Sequence, residues 1–199
     1  MLLPSDRVIY DWIVRHFDRH GYSFFVRGDL NLNLIGIRSL SRKAGKFDDE
    51  ILAVWKQSGD WQIRRWPATT DPGLYWLQNP QNVDGTAVLV PGQYRGVWKL
   101  DKHRGQYWAL CQRGGDVNVW RDRDLDGTID PGATIYRGGF GINIHRAGED
   151  SENVGKWSAG CQVLKRRRDF DELMAIARRC LAAWPDSVTY TLLDEDDLF

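Results

Sequence analysis

The chain is poor in cysteine, in methionine and in net charge. It has three Cys and two Met, and 27 basic side chains offset 27 acidic ones in its 199 residues. Cys111, Cys161 and Cys180 are an odd number at wide spacing and form no CxxC pair, so no disulfide framework or zinc ribbon is expected. Reduced thiols are expected, with Cys111 and Cys180 as small buried hydrophobes. Zero net charge removes the global electrostatic case for binding nucleic acid or an anionic membrane. No run approaches the ~18 consecutive apolar residues of a membrane span. The opening MLLPSDRVIYDWIVRHFDRH lacks a basic stretch followed by an apolar core. It does not read as a signal peptide, so synthesis in the cytoplasm without one is expected. No internal repeat and no low-complexity segment is found.

What the chain does have is Trp, ten of them, and a succession of short apolar segments. Aromatic residues fit a pleated, half-buried surface, and they also stack on carbohydrate faces. Residues 5–20 carry Ile9, Trp12, Ile13 and Phe17 at helical spacing, with Ser5 as N-cap and Gly21 as terminator. Residues 31–39 alternate like a strand. From Asp48 onward, EILAVWKQ and DWQIRRWPAT read as a hairpin, followed by strands at GLYWL, TAVLVPG, YRGVWKL, YWALCQ and VNVWRD. ATIYRGGFGINIHRA reads as one more strand that ends at His145. Residues 169–184 read as a helix capped by Asp169, and SVTYTLL as a closing strand. The expectation is a mainly β protein with a few helices. Residues 1–45 form an N-terminal helix and strand extension, and residues 46–199 form a β-sandwich or barrel-like domain with a C-terminal helix.

GINIHRAGEDSENVGKWSAGCQVL places Cys161 directly after Ser158-Ala159-Gly160 and sixteen residues beyond His145. A thiol attacks as thiolate, and a nearby His is the usual base. Gly160 allows unusual backbone geometry before the nucleophile, and the N–H groups of Gly160 and Cys161 are candidate oxyanion donors. Ser158 is a candidate for orienting the turn or His145. Spacing alone leaves coincidence as the commoner explanation of a lone His and a lone Cys.

The segment resembles the signature of the L,D-transpeptidase (YkuD-like) catalytic domain: a His, a stretch of about this length, then Ser/Thr-x-Gly-Cys. His145, Ser158, Gly160 and Cys161 match it, and TTDPGLYWL, with Pro72, Gly73 and Tyr75, resembles the family's Thr-Pro-x-Gly segment. The resemblance covers roughly residues 48 to 180 and implies an L,D-transpeptidase β-sandwich. The chain departs from the pattern in three places. Arg146 follows the His where Gly is common, and Ala159 stands where His or Lys is common. Gln162, Val163 and Leu164 follow Cys161, without the family's Arg. Arg146 or one of Lys165 to Arg168 is the expected substitute for that Arg.

The family implies a peptidoglycan-processing enzyme. Cys161 attacks a stem-peptide amide to form a thioester, His145 serves as base and then acid, and an amine or water resolves the thioester. No metal and no cofactor are called for. The expected partner is peptidoglycan, the expected state is a monomer, and the substrate side chains are Arg146, Trp157, Tyr75 and Glu149. A phage lysis enzyme or a secreted antibacterial effector, acting on the wall after release, fits a chain read as lacking a signal peptide. Two other readings stand beside it. One is a glycan-strand hydrolase using carboxylates such as Glu149, Asp150, Glu152 or Asp71. The other is a wall-binding module without catalysis.

Five further features have simpler readings. RDRDLDGTID holds Asp122, Asp124, Asp126, Gly127 and Asp130 in a D-x-D-x-D-G pattern that resembles a calcium loop. Ala133 occupies the twelfth position, where an EF-hand carries Glu, and a strand-connecting turn rich in Asp and Gly accounts for most of the pattern. His16 and His20 lie at i and i+4 on the first helix with no third ligand in view, and KRRRD (165–169) reads as a solvated basic run. His103 reads as a turn or rim residue. Trp66, Tyr75, Trp76, Tyr94, Trp98 and Trp157 divide between core and a sugar-facing groove, with most in the core.

Overall fold

A computed structural model describes residues 4–132 and 134–195. Helix α1 (Pro4–Arg19) leads into β1 (Asn33–Arg38), and β2 (Asp49–Gln57) and β3 (Asp60–Thr69) form a hairpin. Then come the short helix α2 (Leu74–Gln78), β4 (Thr86–Leu89), β5 (Gly92–His103), β6 (Tyr107–Gln112), β7 (Val117–Asp122) and β8 (Tyr136–Gly138). Last come β9 (Ile144–Arg146), β10 (Gln162–Leu164), helix α3 (Arg167–Ala183) and β11 (Val188–Asp194).

Among the described residues the protein is mainly β with three helices, as expected, and its main sheet is a closed eight-strand barrel, the barrel-like architecture that the strand spacing allowed rather than the sandwich that the resemblance implies. The strand order is β1-β11-β5-β6-β9-β10-β3-β2, and a separate sheet has the order β4-β7-β8. Closure depends on β1, which pairs parallel with β11 and antiparallel with β2. The segment read as an extension thus supplies a stave of the barrel.

Side-chain alternation shows why these strands are apolar on both faces. On β2, Ile51, Ala53 and Trp55 join the main core, whereas Leu52 and Val54 pack against Ile13 and Phe17 of α1. The same split separates Leu34 from Ile35 on β1, and Tyr190 and Leu192 from Leu193 on β11. α1 therefore covers the outside of three adjacent staves. β10 and β11 lie four places apart in the ring of eight, so α3, which joins them, crosses the barrel. Its Phe170, Leu173, Met174, Ala177 and Cys180 enter the main core.

Several local expectations are corrected. GLYWL is not a strand. Gly73 accepts from the Trp76 and Leu77 N–H groups and opens α2, which buries only Leu77. ATIYRGGFGINIHRA is two strands, β8 and β9, in different sheets, with a turn at Gly141 (φ +72°) between them. α3 starts at Arg167, so Asp169 lies in the first turn, where a carboxylate opposes the positive helix end, rather than at the cap. α1 takes in Ser5, whose side chain lies outside the described residues. Gly21 terminates α1 in the left-handed region (φ +67°).

Candidate functional site

Parallel pairing of β9 and β10 sets the site. Val163 pairs with His145, Gln162 pairs with Ile144, and the Gln162 N–H donates to the Asn143 carbonyl. Ile144, Gln162 and Leu164 face the barrel interior, where Tyr190 Oη donates to Gln162 Oε1 at 2.9 Å. Alternation sends His145 and Val163 to the outer face, and the same step backwards sends Asn143 and Cys161 there too. The structure thus brings Cys161 and His145, sixteen residues apart, to neighbouring positions on one face of two adjacent strands.

The Ser158–Cys161 turn is tightly constrained. Ser158 is fully buried. Its Oγ donates to the Cys161 carbonyl at 2.8 Å and accepts from the Gly160 N–H at 3.1 Å, and its carbonyl accepts from the Gly73 N–H at 2.8 Å. Ser158 therefore holds the turn and the Pro72-Gly73 segment, with no contact to His145 among the described residues. Gly160 has φ +118°, and a Cβ there would collide with the Ala87 carbonyl oxygen of β4. This position requires glycine twice over. Because the Gly160 N–H is already committed to Ser158, the expected pair of oxyanion donors reduces to the Cys161 N–H.

Cys161 is half-buried. Its Sγ lies 3.5 Å from the Asn143 N–H donor and 3.5 Å from the Gly141 carbonyl. Burial pushes the thiol up to about 11, against the opposing pull of the Asn143 N–H and the Arg104 charge. His145 is buried, its Nδ1 lies 2.9 Å from the Arg146 carbonyl, and the Tyr107 hydroxyl is 3.5 Å away. An Nδ1–H donated to that carbonyl leaves Nε2 as the basic nitrogen. Burial, with His103 stacked on it at 4.1 Å between ring centroids, pushes the imidazole down to about 3. No hydrogen bond joins His145 to Cys161 among the described residues, and both shifts favour neutral groups.

Four residues that sequence reasoning left aside complete the surroundings. His103 is buried rather than on a rim, and Asn143 Nδ2 lies 3.1 Å from its Nδ1. Asn143 Oδ1 accepts from the Gln112 N–H at 2.9 Å. Tyr107 places its ring under the Arg146 guanidinium at 4.7 Å. Arg104 occupies the β5–β6 turn in the left-handed region (φ +50°). Among the described residues it is the one cation that bears on Cys161, His145, His103 and Tyr107 together. Nothing in the spacing of KLDKHRGQY separates such residues from an ordinary hairpin turn.

Arg146 stacks on Tyr107 and donates to the Ala147 carbonyl, and strand alternation turns it away from the thiol's face. Lys165, Arg166, Arg167 and Arg168 all lie near carboxylates: Asp150 for the first two, Glu149 and Asp171 for Arg167, and Asp169 for Arg168. Glu149 is exposed and bound to Arg167 at 2.9 Å. Asp71 is buried beside Arg38, 2.9 Å away. Trp66, Tyr94 and Trp98 are core residues, while Tyr75 and Trp157 are exposed. Tyr75 lies 4.0 Å below Lys156 Nζ, and Trp76 donates to the Lys156 carbonyl at 3.0 Å. A groove of about 230 Å³ runs past Trp76, Thr86, Phe140 and Ala159, alongside the turn that carries the thiol. A larger cavity, about 520 Å³, lies between α1 and β1–β3 and includes none of these residues. His16 is buried, contrary to the solvated role expected for it, with its ring 4.5 Å from that of His20.

Comparison with protein-family models, with curated proteins and with solved structures finds no match to the chain. A functional reading therefore rests on the residues and their geometry.

Proposed function

We propose that the chain is a cysteine enzyme that cuts or exchanges the stem peptides of peptidoglycan through a thioester on Cys161, as in the L,D-transpeptidase family its motif resembles. The observation that carries this reading is the placement of Cys161 beside His145 on the outer face of β9 and β10, at the end of a turn only glycine can make. His145 Nε2 takes the thiol proton as sulfur adds to the amide carbonyl, and the Cys161 N–H supports the resulting oxyanion. The C–N bond then breaks, the amine leaves with the proton from His145, and the acyl group remains on sulfur. Water or a second amine releases it. Arg104, which no carboxylate among the described residues pairs with, stands where a cation can hold a substrate carboxylate, in place of the Arg the motif lacks. The groove beside Ala159, with Trp76 and Phe140, supplies an aromatic wall for the stem or the adjoining sugar.

The test is mass spectrometry of purified peptidoglycan incubated with wild type, Cys161→Ala and His145→Ala. Shortened or exchanged stem peptides from wild type, lost in both variants, support the proposal. Glycan fragments that persist with Cys161→Ala would transfer the chemistry to carboxylates. Unchanged wall material that still retains the protein would leave a binding module.

A further inference from the structure

The β7–β8 connection carries Asp122, Asp124, Asp126, Gly127, Thr128 and Asp130 in the order D-x-D-x-D-G-x-x-D. Oxygen ligands at positions 1, 3, 5, 7 and 9 are the spacing by which a single loop wraps a calcium ion, and glycine at position 6 makes the sharp turn. The folded loop brings the side chains together: carboxylate oxygens of Asp124, Asp126 and Asp130 lie within 4.8 Å of one another. Gly127 has φ +85°. Such a cluster on a surface is by itself ordinary.

Asp122 makes it more than that. It is only 3% exposed, and its Oδ1 is buried with no hydrogen-bond partner among the described residues. Its Oδ2 accepts from the Asp130 N–H at 3.2 Å, which sets the carboxyl against the same loop. A buried carboxylate oxygen without a donor is costly, and no Lys or Arg side chain supplies one here. Asp122 stands next to the group of three exposed acids rather than within it, and a divalent cation drawn in by those acids would give its unpartnered oxygen a ligand.

We infer that this loop binds one calcium ion through Asp122, Asp124, Asp126 and Asp130, with the Thr128 carbonyl as a fifth donor. That carbonyl takes no part in the bridge to residues 42–44, whose bonds run from the Ala44 N–H to the Gly127 carbonyl and from the Ile129 N–H to the Arg42 carbonyl. The hard all-oxygen donor set selects calcium over magnesium, which keeps its waters and demands octahedral geometry. Affinity on the order of 10⁻⁴–10⁻³ M is expected, the range of extracellular modules. The ion would brace three parts at once. The loop follows β7, leans on residues 42–44, and places Gly127 against Leu74 of α2. α2 follows the Pro72-Gly73 segment that the Ser158 carbonyl holds, so the brace reaches the thiol turn through the backbone. The inference does not depend on what Cys161 does.

The test is calorimetric titration of chelator-treated, dialysed protein with CaCl₂ and, separately, with MgCl₂, alongside the melting temperature in each. Expected is one saturable calcium site, a melting temperature that rises with calcium, and at least tenfold weaker binding of magnesium. Asp124→Asn combined with Asp126→Asn changes exposed side chains only. It should leave the calcium-free circular dichroism unchanged, weaken calcium binding at least tenfold and abolish the thermal shift. Asp116→Asn, an exposed acid elsewhere, should keep the wild-type response. Absence of saturable binding up to about 10 mM calcium, well past the expected range, overturns the inference. So does calcium binding that survives the double substitution.

Discussion

The protonation state of the resting site gives the sharpest test of the chemistry. Burial pushes Cys161 up to about 11 and His145 down to about 3, so neither group should be charged near neutrality. A free thiol, at about 8.5, is roughly a quarter thiolate at pH 8, whereas a group at 11 is about one part in a thousand. The thiolate population therefore falls by roughly 200-fold. A more basic thiolate is also a better nucleophile, and with a Brønsted slope of about 0.4–0.5 this returns roughly tenfold. Reaction of Cys161 with an aromatic disulfide at pH 8 should then be about 20-fold slower than that of an unhindered free cysteine. The rate should rise about tenfold per pH unit through pH 9 without levelling. Mass mapping of the labelled residue separates Cys161 from Cys111 and Cys180, both buried. Arg104→Ala removes a charge that favours the thiolate and should slow labelling further. A rate that levels off near pH 7 would show a thiolate–imidazolium pair already formed, and would refute the step in which His145 takes the proton only as the substrate is attacked.

Other outcomes follow from the same geometry. Gly160→Ala puts a Cβ into the Ala87 carbonyl at φ +118°, and should cost at least about 2–4 kcal/mol in denaturant unfolding while displacing the thiol. Tyr190→Phe leaves the buried Gln162 Oε1 without its donor and should cost about 1–3 kcal/mol with little change in the unfolding slope. His145→Gln should flatten the acid side of the stability curve. The folded pKa of His145 lies below its unfolded value, so between about pH 6.5 and about 3 the unfolded chain binds a proton that the folded chain refuses, and stability is lost as pH falls. The loss is on the order of 4–5 kcal/mol at its limit. Asp49, pushed up by burial and by neighbouring Asp71, works in the opposite direction, so the difference between wild type and variant isolates His145.

Much of the strand order was legible because period-two alternation is local. The hairpin of β2 and β3 and the strands β4 to β7 fall where alternating segments and turn residues place them. GLYWL misleads because five apolar residues in a row carry no period. What decides for a helix is the Gly73 carbonyl, which accepts from Trp76 and Leu77 while its N–H is tied to Ser158, a contact 85 residues away. Barrel closure was equally hidden. It rests on parallel pairing of β1 with β11 across nearly the whole chain, and strands that are apolar on both faces suit a sandwich under helices as well as a barrel. At the site, Cys161, His145, Ser158 and Gly160 stand out because their chemistry is compressed into one segment. His103, Arg104, Tyr107 and Asn143 do not, because stacking and charge at a distance leave no spacing to read.

The interior of the barrel has a direct hold on that site. Trp98, fully buried, packs edge-on against Tyr190 at 5.3 Å and donates through its indole N–H to the Ile142 carbonyl, just before Asn143. Tyr190 Oη donates to Gln162, and Gln162 Nε2 donates to the carbonyls of Thr70 and Gly160 at 3.2 and 3.3 Å. One buried polar chain thus ties both backbone segments that flank the thiol to the aromatic core, and a third tie runs from Gly73 to Ser158. In an apolar interior each of these polar groups would be costly unpaired, so the chain can be relaxed only by unfolding part of the barrel. The backbone at Gly160 is held both by Ser158 within the turn and by this buried chain behind it. Gln162, the residue directly after Cys161, thus faces inward and acts on the geometry of Cys161 from behind.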